Sequence, residues 1–378
     1  MKLPENLNQK LENCKRSNTF RKLPVFNNLV DFSSDDYIGF SKAEIIFRQV
    51  HVYLVENEIF QNGATGSRLI SGNHSLYQIT EDFIADFHSA EMALIVNSDY
   101  DAKVGFFEAL MQENDVVLYD ELCHALIREG IEMSKAISFK FIHNDIEDLE
   151  QLILRFPNSN VYIVVESVFS LDGDSPNLEE WIMLSEKYNC YFIVDESFAL
   201  GVFGEKGEGL IQYLQLHNHV FARIISFGKG LGCYGSVILG SLELKEYLVN
   251  FSENLMESAA LSPHSVATIL MAYQQLKIEN EAIRKLRENV VFFNQQKNLL
   301  GLKPMFVHSK SAIHAAIVPG YENIKQLSEE LQNKGYDVQS ILPPLVPEGQ
   351  ERLRLCLHSY NSQEEINRVL ELIRDFIF

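Results

Sequence analysis

The chain has 378 residues, 46% hydrophobic and 22% charged, a length and balance suited to a large soluble domain with a smaller one beside it. Its 52 acidic residues against 32 basic ones leave a net charge of −20, a field that opposes nucleic acids and anionic membranes but leaves room for a local anion site. The five cysteines (Cys14, Cys123, Cys190, Cys233 and Cys356) are scattered without CxxC spacing and the first residues carry no apolar signal core, so a reduced, cytoplasmic setting without a metal site is expected.

Residues 5–20 read as a short amphipathic helix, and LVDFSSDDYIGFS (29–41) as a strand and turn. From about residue 80, helix and strand alternate. QITEDFIADFHSA is helical, EMALIVNS is a strand, DAKVGFFEALM is a helix, DVVLYD is a strand and ELCHALIREGIEMS is a helix. VYIVVESVF, the helix NLEEWIMLSEKYN, CYFIVDESFA and ARIISFG continue the pattern. Short β-branched apolar runs separated by helices predict βαβ units and a mostly parallel sheet covered on both faces. A long helical stretch (262–293) then leads into a tail of α+β character. The expected division is an N-terminal segment (1–45), a large domain (46–270) and a small C-terminal domain (271–378).

Parallel sheets bind ligands beyond the carboxyl ends of their strands. Three predicted strands end there in reactive side chains: Ser167, Ser170 and Asp172; Asp195 and Glu196; Ser226 and Lys229. Lys229 stands between Gly228 and Gly230, which let backbone pass close by. Alone, such a lysine is usually a solvated turn residue, and such an aspartate a helix cap or an ion-paired structural group. Together they indicate a cofactor that needs both. Pyridoxal phosphate (PLP) has an aldehyde that takes a lysine amine and a ring nitrogen that takes a carboxylate. Its phosphate takes backbone N–H groups at a helix start, which NSDYDAKVGF (97–106) supplies. His124, in YDELCHALI, is placed to stack on the ring.

These stretches, with GATGSRLISGNHSLYQITE, ESVFSLDGDSPNLEEW, SFGKGLGCYG and LPPLVPEGQERLRLCL, resemble the α-oxoamine synthases over nearly the whole chain. That family has the fold-type-I PLP architecture: a large domain with a mostly parallel, seven-stranded sheet and a smaller α+β domain. The resemblance implies decarboxylative condensation of an amino acid with an acyl thioester, and within the family L-alanine with a pimeloyl thioester, on coenzyme A or a carrier protein. It implies that Lys229 holds the cofactor and moves the substrate α-proton, Asp195 pairs with the ring nitrogen and His124 stacks on the ring. It further implies Ser170 near the ring oxygen, the Ser98 and Tyr100 amides and the Ser226 hydroxyl at the phosphate, and Arg354 on the substrate carboxylate. A homodimer with shared sites follows, with Ser258 at the contact to the neighbouring subunit's phosphate.

Four positions depart from the family pattern. Asp35 stands where an asparagine helps hold the substrate carboxylate, and Asp99 where the phosphate turn has glycine. Phe198 replaces a histidine that reaches the ring oxygen, and Ala259 replaces the second of two hydroxyl residues. Both aspartates add negative charge where anions are expected to sit. Lys103 is four residues from Asp99 and is expected to offer it only an exposed helical pair worth about 0.3–0.5 kcal/mol. Two readings follow: an active synthase, with glycine or serine as alternative substrates, or a weakened paralogue with a binding or assembly role.

Overall fold

The computed structural model describes residues 3–16, 20, 23 and 28–378. The N-terminal helix covers Glu5–Arg16; the rest of the expected 5–20 span lies largely outside the described residues. The strands, in chain order, are β1 (Val30–Asp31), β2 (Met92–Val96), β3 (Val116–Asp120), β4 (Ile137–Phe141), β5 (Val161–Glu166) and β6 (Tyr191–Asp195). They continue with β7 (Ala222–Ser226), β8 (Ser236–Gly240), β9 (Ile313–Ile317), β10 (Tyr336–Asp337), β11 (Gln339–Ile341) and β12 (Arg352–Cys356).

Seven strands form one sheet in the order β2-β8-β7-β6-β5-β3-β4, and only β8 runs antiparallel to its neighbours. Side chains alternate between two apolar layers, as the period of a strand requires. Ile95, Ile225 and Val237 join a core with the helices Ser75–Phe87 and Pro263–Ile278. Leu94, Ile224 and Ile238 face a second core holding Phe106 and Phe107. A third surrounds Trp181, on the helix Leu178–Lys187, beneath β3 and β5. This is the expected fold class.

The edge strand β2 is covered by charged side chains instead of another strand. Glu81 accepts from the Ile95 amide (2.9 Å), Arg68 donates to the Ile95 carbonyl (2.8 Å) and Lys245 to the Ala93 carbonyl (3.1 Å). Glu81 also pairs with Arg68 at 2.6 Å and Lys245 at 2.9 Å, so the three neutralise one another partly and leave no open edge. The network fixes the strand that delivers Asn97, Ser98 and Asp99.

The C-terminal part carries an antiparallel sheet, β11-β12-β9, backed by the helices Tyr321–Asn333 and Gln363–Ile377. The expected division at 270/271 falls inside the helix Pro263–Ile278, which is followed by Glu281–Leu299. The parallel pair β1-β10 ties the segment before the large sheet to this small domain. Among the described residues, no helix is long and apolar enough to cross a membrane.

Candidate active site

Strands β5, β6 and β7 lie side by side and parallel, and end in Glu166, Asp195 and Ser226. Asp195 is 2% exposed, and the Ser197 amide donates to its Oδ1 at 2.9 Å. Its Oδ2 lies 2.7 Å from Nζ of Lys103. Lys103 comes from a π-helical turn, Asp101–Gly105, and its side chain is wholly inaccessible. The same ammonium pairs with Asp99 at 3.0 Å. The expected pair of Lys103 with Asp99 forms, but Lys103 is buried, not exposed, and the same ammonium links the turn after β2 to the end of β6. Burial alone would raise the Asp195 carboxyl, but Lys103 holds it below the usual carboxylate range. Glu166, opposite Asp195 in register, is pushed up to about 8 by burial and by the Asp195 charge, against the pull of Lys103.

Lys229 follows β7 in a tight turn. A Cβ at Gly230 would run into the Leu200 carbonyl oxygen, so that glycine is required by close approach; Gly228 meets no such barrier. Nζ of Lys229 lies 2.9 Å from Oδ2 of Asp35 and 4.9 Å from the centre of the Phe198 ring. Asp35 is delivered by the turn after β1. Its Oδ1 accepts from Arg354 at 2.9 Å and from the Tyr37 hydroxyl at 3.1 Å. Asp35 thus joins the two cations that the sequence assigns to cofactor and substrate. Burial opposes its charge, yet Arg354 and Lys229 carry its carboxyl down to about 2.

Arg354 also donates to the Ser170 carbonyl at 3.0 Å. It stands half-buried on β12, while Arg352, two residues back on the same strand, pairs with Asp172 at 2.6 Å. The Ser170 amide donates to Glu166 at 3.0 Å, and the His124 amide donates to Glu166 at 2.6 Å.

His124 is not inside a helix, as the sequence predicts, but caps one. The helix starts at Ala125, and the His124 Nδ1 accepts from the Leu126 amide at 3.2 Å. That bond fixes the neutral tautomer with the proton on Nε2. Burial and the nearby Lys103 lower its pKa to about 4, so the ring is uncharged at neutral pH. The charges of Asp195, Asp99 and Lys229 also act on this ring.

In the turn after β2, Ser98 Oγ accepts from the Asp101 amide at 3.0 Å. Tyr100 points outward, its hydroxyl 3.4 Å from Glu129. The Ser226 amide donates to Ser197 Oγ at 2.9 Å, and its own hydroxyl accepts from Gly228 at 3.4 Å. Asn97 donates to Ser258 Oγ (2.9 Å) and to the Ala259 carbonyl (2.7 Å), which pins 258–259 beside the same turn. The sequence reading missed Glu166, Asn97 and the reach of Lys103. Glu166 ended a buried apolar run, a signal equal to that of Asp195.

A large mostly parallel sheet with an acid and a lysine at adjacent strand ends, and a small α+β domain supplying an arginine, defines a class. The model of the class I and II aminotransferase family matches residues 27–373, and the chain belongs to that family. Over 382 aligned residues it is 33% identical to the 8-amino-7-oxononanoate synthase of Emericella nidulans, covering 94% of this chain and 92% of that one, which sets it among the α-oxoamine synthases. Solved structures agree on the fold. Serine palmitoyltransferase of S. paucimobilis, with a bound PLP–myriocin aldimine, superposes with a TM-score of 0.88 at 22% identity, over 98% of this chain and 96% of that one. The 8-amino-7-oxononanoate synthase of Francisella tularensis gives 0.79 at 24% identity, over 92% and 98%.

Proposed function

We propose that the chain is a PLP-dependent acyltransferase that condenses L-alanine with a pimeloyl thioester, giving 8-amino-7-oxononanoate for biotin synthesis, and that its resting site is closed by its own ion pairs. The observation that supports this is a pair of ion-pair groups at the strand ends: Lys103 with Asp195 and Asp99, and Asp35 with Lys229 and Arg354.

The donor set fits the cofactor at its aldehyde, ring face and ring nitrogen. Lys229 would take the aldehyde, the neutral His124 ring would cover one face, and Asp195 would hold the ring nitrogen. The Ser98 and Tyr100 amides and the Ser226 hydroxyl would hold the phosphate. When bound, PLP supplies an electron sink for the carbon whose proton or carboxylate is lost. The chain's residues do the rest. Arg354 presents a planar fork for the substrate carboxylate, which must first displace Asp35. Lys229, released from Asp35, holds and returns the α-proton. Phe198 offers no hydrogen bond to the ring oxygen, which leaves Ser170 as the nearby donor. A homodimer in the cytoplasm, with Ser258 at the subunit contact, completes the proposal.

A second reading, a weakened paralogue with a binding or assembly role, is favoured by one observation. Asp35 holds both Lys229 and Arg354 while Lys103 holds Asp195. Purification with PLP, removal of the free cofactor, and visible spectra before and after borohydride separate the two. A reducible band with the adduct mapped to Lys229, followed by turnover of alanine and pimeloyl thioester, supports the synthase. Absence of retained cofactor supports the paralogue.

A further inference from the structure

Away from this site, the helix Glu281–Leu299 forms one wall of a cavity of about 810 Å³, a size typical of small-molecule sites. Val202 and Phe203, from the loop after β6, and Phe306 make the opposite apolar walls, against Leu286, Val290 and Val291. The remaining charged lining is wholly basic: Arg287, Lys297, Lys303 and Lys310. Among the described residues no carboxylate lines it, in a chain with 52 acidic residues and only 32 basic ones. Glu205 and Glu288 lie instead in the neighbouring depression, which shares Arg287.

Lys297 is the central feature. It is 4% exposed, and no carboxylate among the described residues lies within ion-pairing distance of it. Its Nζ donates to Asn294 Oδ1 at 2.7 Å, and Asn294 is held in turn by the Val290 and Ser309 carbonyls (3.0 and 3.3 Å). The ammonium also stands 5.2 Å from the centre of the Phe306 ring. A buried cation without a counter-charge is costly, and chains rarely keep one unless something else pairs with it. Burial and the nearby Lys303 depress its pKa, which a bound anion would reverse.

We propose that this cavity binds an amphipathic anion, an alkyl chain ending in a carboxylate or a phosphate, with its head on Lys297 and its chain along Val202, Phe203, Val290 and Phe306. Arg287 is committed to the carbonyls of Val202 and Gly204 and shapes the wall; Lys303 and Lys310 are exposed at the rim and attract the anion. The site is separate from the Lys229 centre and does not rest on the reaction proposed for it.

The test is a competition titration on the full chain, purified with PLP, using dansylaminoundecanoate as the fluorescent probe. Dodecanoate, dodecyl phosphate, dodecanol and 4′-phosphopantetheine serve as competitors. Saturable probe binding, displaced at least tenfold better by dodecanoate or dodecyl phosphate than by dodecanol, is expected. Displacement by dodecanoate identifies a free fatty-acid type of ligand; displacement by 4′-phosphopantetheine identifies the arm of a carrier thioester. Lys297→Met should weaken the anions at least tenfold, leave dodecanol unchanged and raise the melting temperature. Lys297→Gln serves if the methionine variant misfolds. No saturable binding, equal displacement by alcohol and carboxylate, or unchanged anion affinity in both variants overturns the proposal.

Discussion

Nζ of Lys103 lies 2.7 Å from Oδ2 of Asp195, both side chains buried, so the carboxylate at the floor of the site is already paired before any ligand arrives. The same lysine holds Asp99 at 3.0 Å. One ammonium therefore balances two aspartates, one in the turn after β2 and one at the end of β6. The repulsion that Asp99 alone would impose on a phosphate is reduced. Under the proposed function the cost falls on Asp195, whose charge a cofactor ring nitrogen would have to share with Lys103.

Combined with Asp99→Gly, which removes the aspartate that would otherwise be left unneutralised at the phosphate, Lys103→Asn should act in opposite directions on stability and on cofactor binding. Removing one partner of a buried pair costs about 3–5 kcal/mol, because the other charge stays buried. Urea unfolding without PLP should show a loss of that order. Added PLP should recover part of it in the variant and less in the parent, since Asp195 then has a new partner. Equal stability of variant and parent without PLP would mean that the pair carries no weight.

Asp35→Asn should open the other side. The neutral amide no longer binds Lys229 and Arg354 as ions, so a substrate carboxylate meets a free arginine. The KM for alanine should fall on the order of tenfold, equivalent to about 1.4 kcal/mol. Stability should fall by roughly 1–3 kcal/mol, from two cations left facing each other without their shared acceptor. An unchanged KM in a variant that still turns over would show that Asp35 is not in the substrate's way.

Much of this was readable from sequence, for physical reasons that also mark the failures. The strands β2, β3, β5, β6 and β7 are continuous apolar runs because both faces of the sheet are covered. Strand β4, ISFKF at the open edge, exposes most of its residues and gave no such signal. Strand β8 follows a glycine-rich turn and reverses direction, which a βαβ reading does not provide for. Asp195 was legible because it terminates a buried strand, and Lys229 because glycines flank it just beyond one. The Asp35–Lys229–Arg354 group was not, since it depends on pairing β1 with β10 and on the placement of β12. The spacing of four made the Lys103–Asp99 pair legible, but not the burial of Lys103 or its second partner, Asp195, which belongs to a distant strand.

Asp99→Gly combined with Phe198→His should raise PLP affinity. At an effective dielectric of ~20, a charge ~4 Å from a phosphate charge costs roughly 4 kcal/mol before relaxation. Lys103 already offsets part of that, so the expected gain is on the order of tenfold to hundredfold in Kd. The histidine adds a hydrogen bond to the ring oxygen worth about 1 kcal/mol. Spectral titration of the apo-protein with PLP measures both. No gain in the double variant would place the phosphate elsewhere than at Ser98.

His143 gives the chain a pH dependence of its own. Its Nδ1 and Nε2 each lie 2.8 Å from a carboxylate, Asp120 and Asp174, beneath the carboxyl end of β3. Burial would lower its pKa, but the two acids raise it to about 10. A group whose folded pKa exceeds its unfolded value stabilises the fold fully below the unfolded value, about 6.5, and loses that contribution as pH rises through about 10. With the imidazole one-fifth exposed, the loss should be on the order of 2–4 kcal/mol. Glu166, raised to about 8, adds a fall of its own at lower pH, so the informative quantity is the difference between parent and His143→Gln. Urea unfolding at pH 6, 8 and 10 should show the parent's advantage shrinking with each step, because the glutamine has no proton to lose. A constant difference across the three pH values would mean that His143 is neutral in the fold and that its two carboxylates hold it by hydrogen bonding alone.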